Sequence, residues 1–106
     1  MAKYLCKVNY TADGTKGLLK DGGTGRRAIV TKAVEALGGT LEEFYYALGG
    51  TDAFLILDIP DTTSGAALSL VVNSTGAVRI ELVPLLTCEE IDAAVHMTVS
   101  YTKPGA

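Results

Sequence analysis

At 106 residues, 48% hydrophobic and 20% charged, the chain has the size and balance of one globular domain, residues 1–106, and not of a disordered segment. Nine basic residues stand against twelve acidic ones, a net charge of −3, and only Arg26 and Arg27 among the basic residues are adjacent. That pattern excludes the basic stripe with which a nucleic-acid binder displaces counterions, and no apolar run nears the ~18 residues of a membrane span. The first residues enter a strand pattern with no apolar leader, so a cytoplasmic location is the expectation.

In chain order, Tyr4, Cys6, Val8 and Tyr10 alternate with Leu5, Lys7 and Asn9, the period-two pattern of a strand. Thr11 to Leu19 opens with a capped turn. Asp21-Gly22-Gly23-Thr24-Gly25 reads as a loop, because three glycines in five residues disfavour helix. Thr24 is a candidate cap for a helix in which Val30, Ala33, Val34 and Leu37 recur at helical spacing. Gly38-Gly39 ends that helix, one glycine taking the left-handed position just past its end. A second strand is expected from about Thr40 to Leu48, a turn over Gly49 to Asp52, and a third strand over Ala53 to Ile59. Asp61, Thr62 and Thr63 offer caps to a second helix running to about Val72, and Ala77 to about Val83 follows as a fourth strand. Thr87 and Glu90 have the spacing of a capping box, so a short helix begins there. Val95, Met97, Val99 and Tyr101 then alternate weakly before Lys103-Pro104-Gly105. The order βαββαβ, with a C-terminal helix and extended tail, is that of a ferredoxin-like α+β sandwich, two helices covering one face of a four-stranded antiparallel sheet.

The other sheet face is then open. It is expected to carry Leu5, Lys7 and Asn9 from the first strand and Leu41, Glu43, Tyr45 and Ala47 from the second. The third strand is apolar on both sides and its parity is open, with Phe54, Ile56 and Asp58 the set that suits this face, and the fourth gives Ala77, Arg79, Glu81 and Val83. Phe44, Tyr46 and Leu48 fall to the core side. A solvated face would be more polar and a packed one less charged. The mixture predicts at least a homodimer through this face, since monomers seldom expose such a patch. Where two such faces meet around a partly polar cavity, a small molecule has a site, and Lys7, Tyr45, Asp52, Asp58 and Arg79 are its candidate ligand-binding residues. A plain dimer interface with paired charges is the simpler alternative.

Few residues suggest a reaction. Cys6 and Cys88 read as free thiols, and His96 is the only histidine. Cys6, Cys88 and His96 have no metal-ligand spacing, so neither a metal nor a cofactor is expected. Gly23-Thr24-Gly25-Arg26-Arg27-Ala28 formally fits a dinucleotide fingerprint, but no strand runs directly into it. Arg26 and Arg27 near a helix start oppose the macrodipole, which suits either a bound anion or pairing with a carboxylate such as Asp21. Asp52 follows two glycines, where its carboxylate serves either to bond turn N–H groups or as a base at a cavity mouth.

The segment Gly38 to Asp61, GGTLEEFYYALGGTDAFLILDIPD, has a Gly-Gly, a strand with an aromatic pair, a Gly-x-Asp turn and an apolar strand ending in Pro-Asp. With Arg26-Arg27-Ala28, Gly76-x-Val78-Arg79, Pro84-Leu85-Leu86-Thr87 and Ser100-Tyr101-x-x-Pro104-Gly105, this resembles the GYD-domain family, with Thr51 where the family name has tyrosine. The resemblance implies a ferredoxin-like fold of the dimeric α/β-barrel type. That architecture also serves monooxygenases, isomerases, dehalogenating enzymes and ligand-binding regulators, so fold alone does not choose a function. Two classes follow. One is a homo-oligomeric module that binds a small molecule or anion. The other is a cofactor-free enzyme with Asp52 or Asp58 as base and Arg79 or Tyr45 holding the substrate.

Overall fold

The computed structural model describes residues 2–106. Its elements are β1 (Ala2–Tyr10), α1 (Ala12–Ala36), β2 (Thr40–Tyr46), β3 (Ala53–Ile59), α2 (Thr62–Ser74), β4 (Val78–Pro84) and α3 (Cys88–Val95). The strands form one antiparallel sheet in the order β2-β3-β1-β4, which is the ferredoxin-like arrangement.

The alternation in β1 and β3 decides which face is buried. Tyr4, Cys6 and Val8 lie opposite Leu57, Leu55 and Ala53 in register, and all six are buried beneath the helices with Ile59 and Val34. Val78, Ile80 and Leu82 of β4, with Leu41 and Phe44 of β2, pack against this core from its sides. Burial of this apolar surface, at about 25 cal/mol per Å², is the main force holding sheet to helices.

Two placements differ from the sequence expectation in β2. Leu41 packs on the core and not on the open face, because the register shifts between Leu41 and Glu43. The bulge at Glu42 inserts one residue, so Leu41 and Phe44 share a face despite their odd spacing. Leu48 lies beyond the end of β2 and is fully exposed, not in the core.

The glycine-rich stretch after Lys20 breaks the helix as expected but not as a five-residue loop: two helical segments of α1 meet at Gly22, whose φ of 74° and ψ of 168° are non-helical, and Gly23 already belongs to the second segment. Each helical glycine costs about 1 kcal/mol relative to alanine. Gly23 nevertheless has a packing reason, because the Tyr46 ring lies against it where any Cβ would crowd the ring. Thr24 therefore caps nothing; the cap is Thr11, which accepts from the Gly14 N–H and ties the helix start to Gly76 and Ala77. At the far end Gly38, at φ 81°, takes the left-handed turn that the Gly-Gly pair predicts.

The other caps match expectation. Asp61 accepts from the Ser64 N–H at 2.7 Å to open α2, and that bond holds its carboxyl below the usual range. Thr87 and Glu90 form the reciprocal capping box of α3. The outer edge of β4 is partly closed by Asn73, whose side-chain amide accepts from the Ile80 N–H at 2.7 Å and donates to the Ile80 carbonyl at 3.3 Å. From Val83 to Ala106 every residue is exposed. No helix among the described residues is long and apolar enough to cross a membrane.

Candidate functional site

A pocket of about 390 Å³ opens at the end of the sheet where α1 kinks over β2. Its walls are Tyr10 at the end of β1, Thr15, Leu18 and Gly23 of α1, Tyr46 at the end of β2, and Ala47, Leu48 and Asp52 of the following turn. The volume lies within the roughly 300–1,000 Å³ typical of small-molecule sites, and the lining is mostly apolar with a few polar groups, as such sites require.

Local folding positions each wall. Asp52 Oδ2 accepts from the Tyr10 backbone N–H at 2.8 Å, while the Asp52 N–H donates to the Val8 carbonyl at 2.9 Å and its carbonyl accepts from the Ala47 N–H at 2.8 Å. These bonds fold the turn back onto β1. The Tyr46 ring stacks obliquely on Phe44, centroids 4.9 Å apart, and its hydroxyl donates to the Gly23 carbonyl at 3.3 Å. Burial pushes the Tyr46 phenol up to about 12, the neighbouring Tyr10 adds to this, and Arg26 and Arg27 oppose it more weakly. Tyr46 is thus a neutral hydroxyl at physiological pH.

Of the residues singled out from the sequence, Asp52 alone lines this pocket. Lys7, Asp58 and Arg79 lie on the open sheet face: Lys7 pairs in register with Phe54 and Glu81, Asp58 with Lys3, and Arg79 with Asn9. Tyr45 is opposite Phe54 and largely exposed at the β2 edge. Phe54, Ile56 and Asp58 occupy the open side, in keeping with their alternation.

Arg26 and Arg27 are adjacent in sequence but face different grooves. Arg26 turns inward, its Nη1 4.0 Å from Asp21 Oδ2, and its Nε is buried with no hydrogen-bond partner. Arg27 lines a groove along β2 with Glu42, Glu43 and Tyr45. Each arginine therefore has carboxylates in its own surroundings.

On the open face Lys3 forms an ion pair with Glu42 and lies 3.9 Å from Asp58 Oδ2. The Glu42 hydrogen bond raises the Lys3 pKa, outweighing desolvation. Asp58 Oδ1 is buried without a hydrogen-bond partner. Cys6 is buried, which pushes its thiol up to about 12, and Cys88 is exposed; both are free. His96 ends α3 and is exposed. Among the described residues, no three His, Cys, Asp or Glu side chains are grouped to hold a metal ion.

Sequence reasoning missed Tyr10, Thr15, Leu18, Gly23 and Tyr46 as pocket walls. The available signal was two core-side tyrosines at strand ends beside a glycine-rich helix. Such rings extend past the sheet and need a partner of small volume.

The strand order, helix layer and edge pocket define an α+β protein of the ferredoxin-like class. A family model described as GYD domain matches residues 4–95, and the chain belongs to that family. The Gly50-Thr51-Asp52 turn lies within the matched span, and its aspartate holds β1. No curated protein and no solved structure gives a match.

Proposed function

We propose that this GYD-domain protein is a homo-oligomeric module that binds a compact, largely apolar molecule in the pocket between Tyr10, Tyr46 and Asp52. The observation that carries this reading is the pocket itself, about 390 Å³ with apolar walls and its polar groups gathered at Tyr10, Thr15, Tyr46 and Asp52. Asp52 is the one formally charged lining residue, so a ligand that donates a hydrogen bond is favoured over one that brings a second negative charge. The anion alternative has less support, because Arg26 and Arg27 face separate grooves and each lies near acids. Self-association is supported by the open face, where Leu5, Phe54, Ile56 and Val83 form an uncovered apolar set between charges.

The test is a thermal-shift series with phenol, benzylamine and benzoate as probes, on the full chain and on Ala47→Trp, which fills the pocket mouth. Phenol or benzylamine should raise the melting temperature of the parent, benzoate less, and the Ala47→Trp variant should respond to none. Equal responses from parent and variant would overturn the assignment.

A further inference from the structure

We propose that residues Thr87 to Ala106 form an exchanged arm: in a dimer built on the open sheet faces, the arm of each copy packs on the other copy. The inference rests on the homo-oligomer reading above and adds what completes the interface.

Only the root of the arm meets its own sheet among the described residues, where Thr87 and Glu90 lie beside Lys3 and Asp58. α3 has a complete capping box, yet none of its residues is buried. Isolated helices shorter than roughly 12–15 residues are marginal in water, so eight residues need tertiary contacts to persist. Ile91, Val95, Met97, Val99 and Tyr101 are all exposed, Tyr101 at 75%. The same excess shows in shape. The radius of gyration is 16.9 Å and the longest extent 55 Å, whereas a compact domain of 106 residues has about 13 Å.

Four strands at about 4.8 Å spacing and seven residues at about 3.3 Å make the face a small platform, roughly 450 Å² in plan. Stable interfaces bury about 800 Å² of accessible surface per partner, and a crossing arm with exposed Ile91, Val95, Met97, Val99 and Tyr101 adds apolar area to that contact. The face carries both signs of charge in balance, Lys3 opposite Asp58 and Lys7 opposite Glu81 with Arg79 and Glu43 beside them, so it offers a second copy no single-sign repulsion. Asp58 Oδ1, buried and unpartnered beside Leu85, Leu86 and Thr87, lies at the root of the arm, where a donor from the second copy would satisfy it. The β4 edge is a poor seat for the arm, because Asn73 already occupies the outward backbone groups of Ile80.

The experiment mixes isotope-labelled and unlabelled full-length chains by unfolding and refolding them together, then records isotope-filtered NOEs. In parallel, sedimentation equilibrium compares the full chain with one truncated after Leu86. The expected result is NOEs from the Met97 methyl and the Tyr101 ring to the other copy, and a dimer weakened by truncation at least about tenfold, the equivalent of 1.4 kcal/mol. A dimer whose arm NOEs stay within one chain, or whose affinity survives truncation, overturns arm exchange and leaves the homo-oligomer reading standing. A full-length chain that is monomeric at micromolar concentration overturns both.

Discussion

The carboxylate of Asp52 holds the backbone N–H of Tyr10 at 2.8 Å, so the turn between β2 and β3 is fastened to the end of the central strand β1. One side chain thereby fixes two walls of the pocket and satisfies a backbone donor at the strand end. Removing the acceptor leaves that donor unpaired, at a cost of about 1–3 kcal/mol. Asp52→Ala should lower stability by that amount in urea unfolding. Asp52→Asn keeps an acceptor oxygen and should lose less than half as much.

Gly14 and Gly25 make a paired prediction about α1. A Cβ on Gly14 would fall 1.9 Å from the Ala77 carbonyl oxygen, which the Thr11 N–H also uses at 3.0 Å. Gly14→Ala must therefore break the tie between α1 and the start of β4, and should destabilise by about 3 kcal/mol or more. A Cβ on Gly25 would sit at an ordinary 3.5 Å from Asp21 Cβ. Gly25→Ala should stabilise by about 0.5–1 kcal/mol through helix propensity. Calorimetric melting of the two variants checks both signs.

Gly23 tests the pocket wall. A Cβ there would stand 3.1 Å from Tyr46 Cε2, so the ring must shift by a few tenths of an ångström. Gly23→Ala should thus gain less stability than Gly25→Ala, because the ring must yield and Gly23 stands next to the break at Gly22. It should also alter Tyr46 near-ultraviolet circular dichroism, which Gly25→Ala leaves unchanged.

Cys6 gives stability a definite alkaline dependence. Its thiol ionises near 9 when unfolded and is held up to about 12 by burial in the fold. Above pH 9 the unfolded chain loses this proton first, so the fold binds more protons and stability falls as pH rises toward 12. Below pH 9 both states keep the proton and the contribution is constant. At about 1.4 kcal/mol per unit, a fully expressed shift is worth roughly 4 kcal/mol. Denaturant titrations at pH 8, 9, 10 and 11 should show a steeper loss for the parent than for Cys6→Ala, whose own loss reflects the remaining groups.

Much of the fold was legible because the signals were local and periodic. The alternation from Tyr4 to Tyr10, the Asp61 cap, the Thr87–Glu90 capping box and the Gly38 stop each depend on neighbours within a few residues. What escaped depends on distant partners. Leu41 changes face because a bulge inserts Glu42, and Glu42 is drawn to Lys3 across the sheet. Gly23 remains helical partly because Tyr46, a residue of β2, fills the space against it. The pocket combines the ends of β1 and β2 with the middle of α1, so no contiguous motif announces it. Asp52 was visible as a turn residue, but its bond to Tyr10 spans two strands.

The most direct test of the ligand-binding account is a ¹H–¹⁵N NMR titration of the full chain with phenol and, separately, benzylamine to millimolar concentration. The account predicts that amides of Gly23, Ala47, Leu48 and Asp52, all lining the pocket, move together and saturate along one binding curve. No movement at these four amides with either probe, or shifts confined to Lys7, Phe54 and Arg79 on the open sheet face, would contradict it.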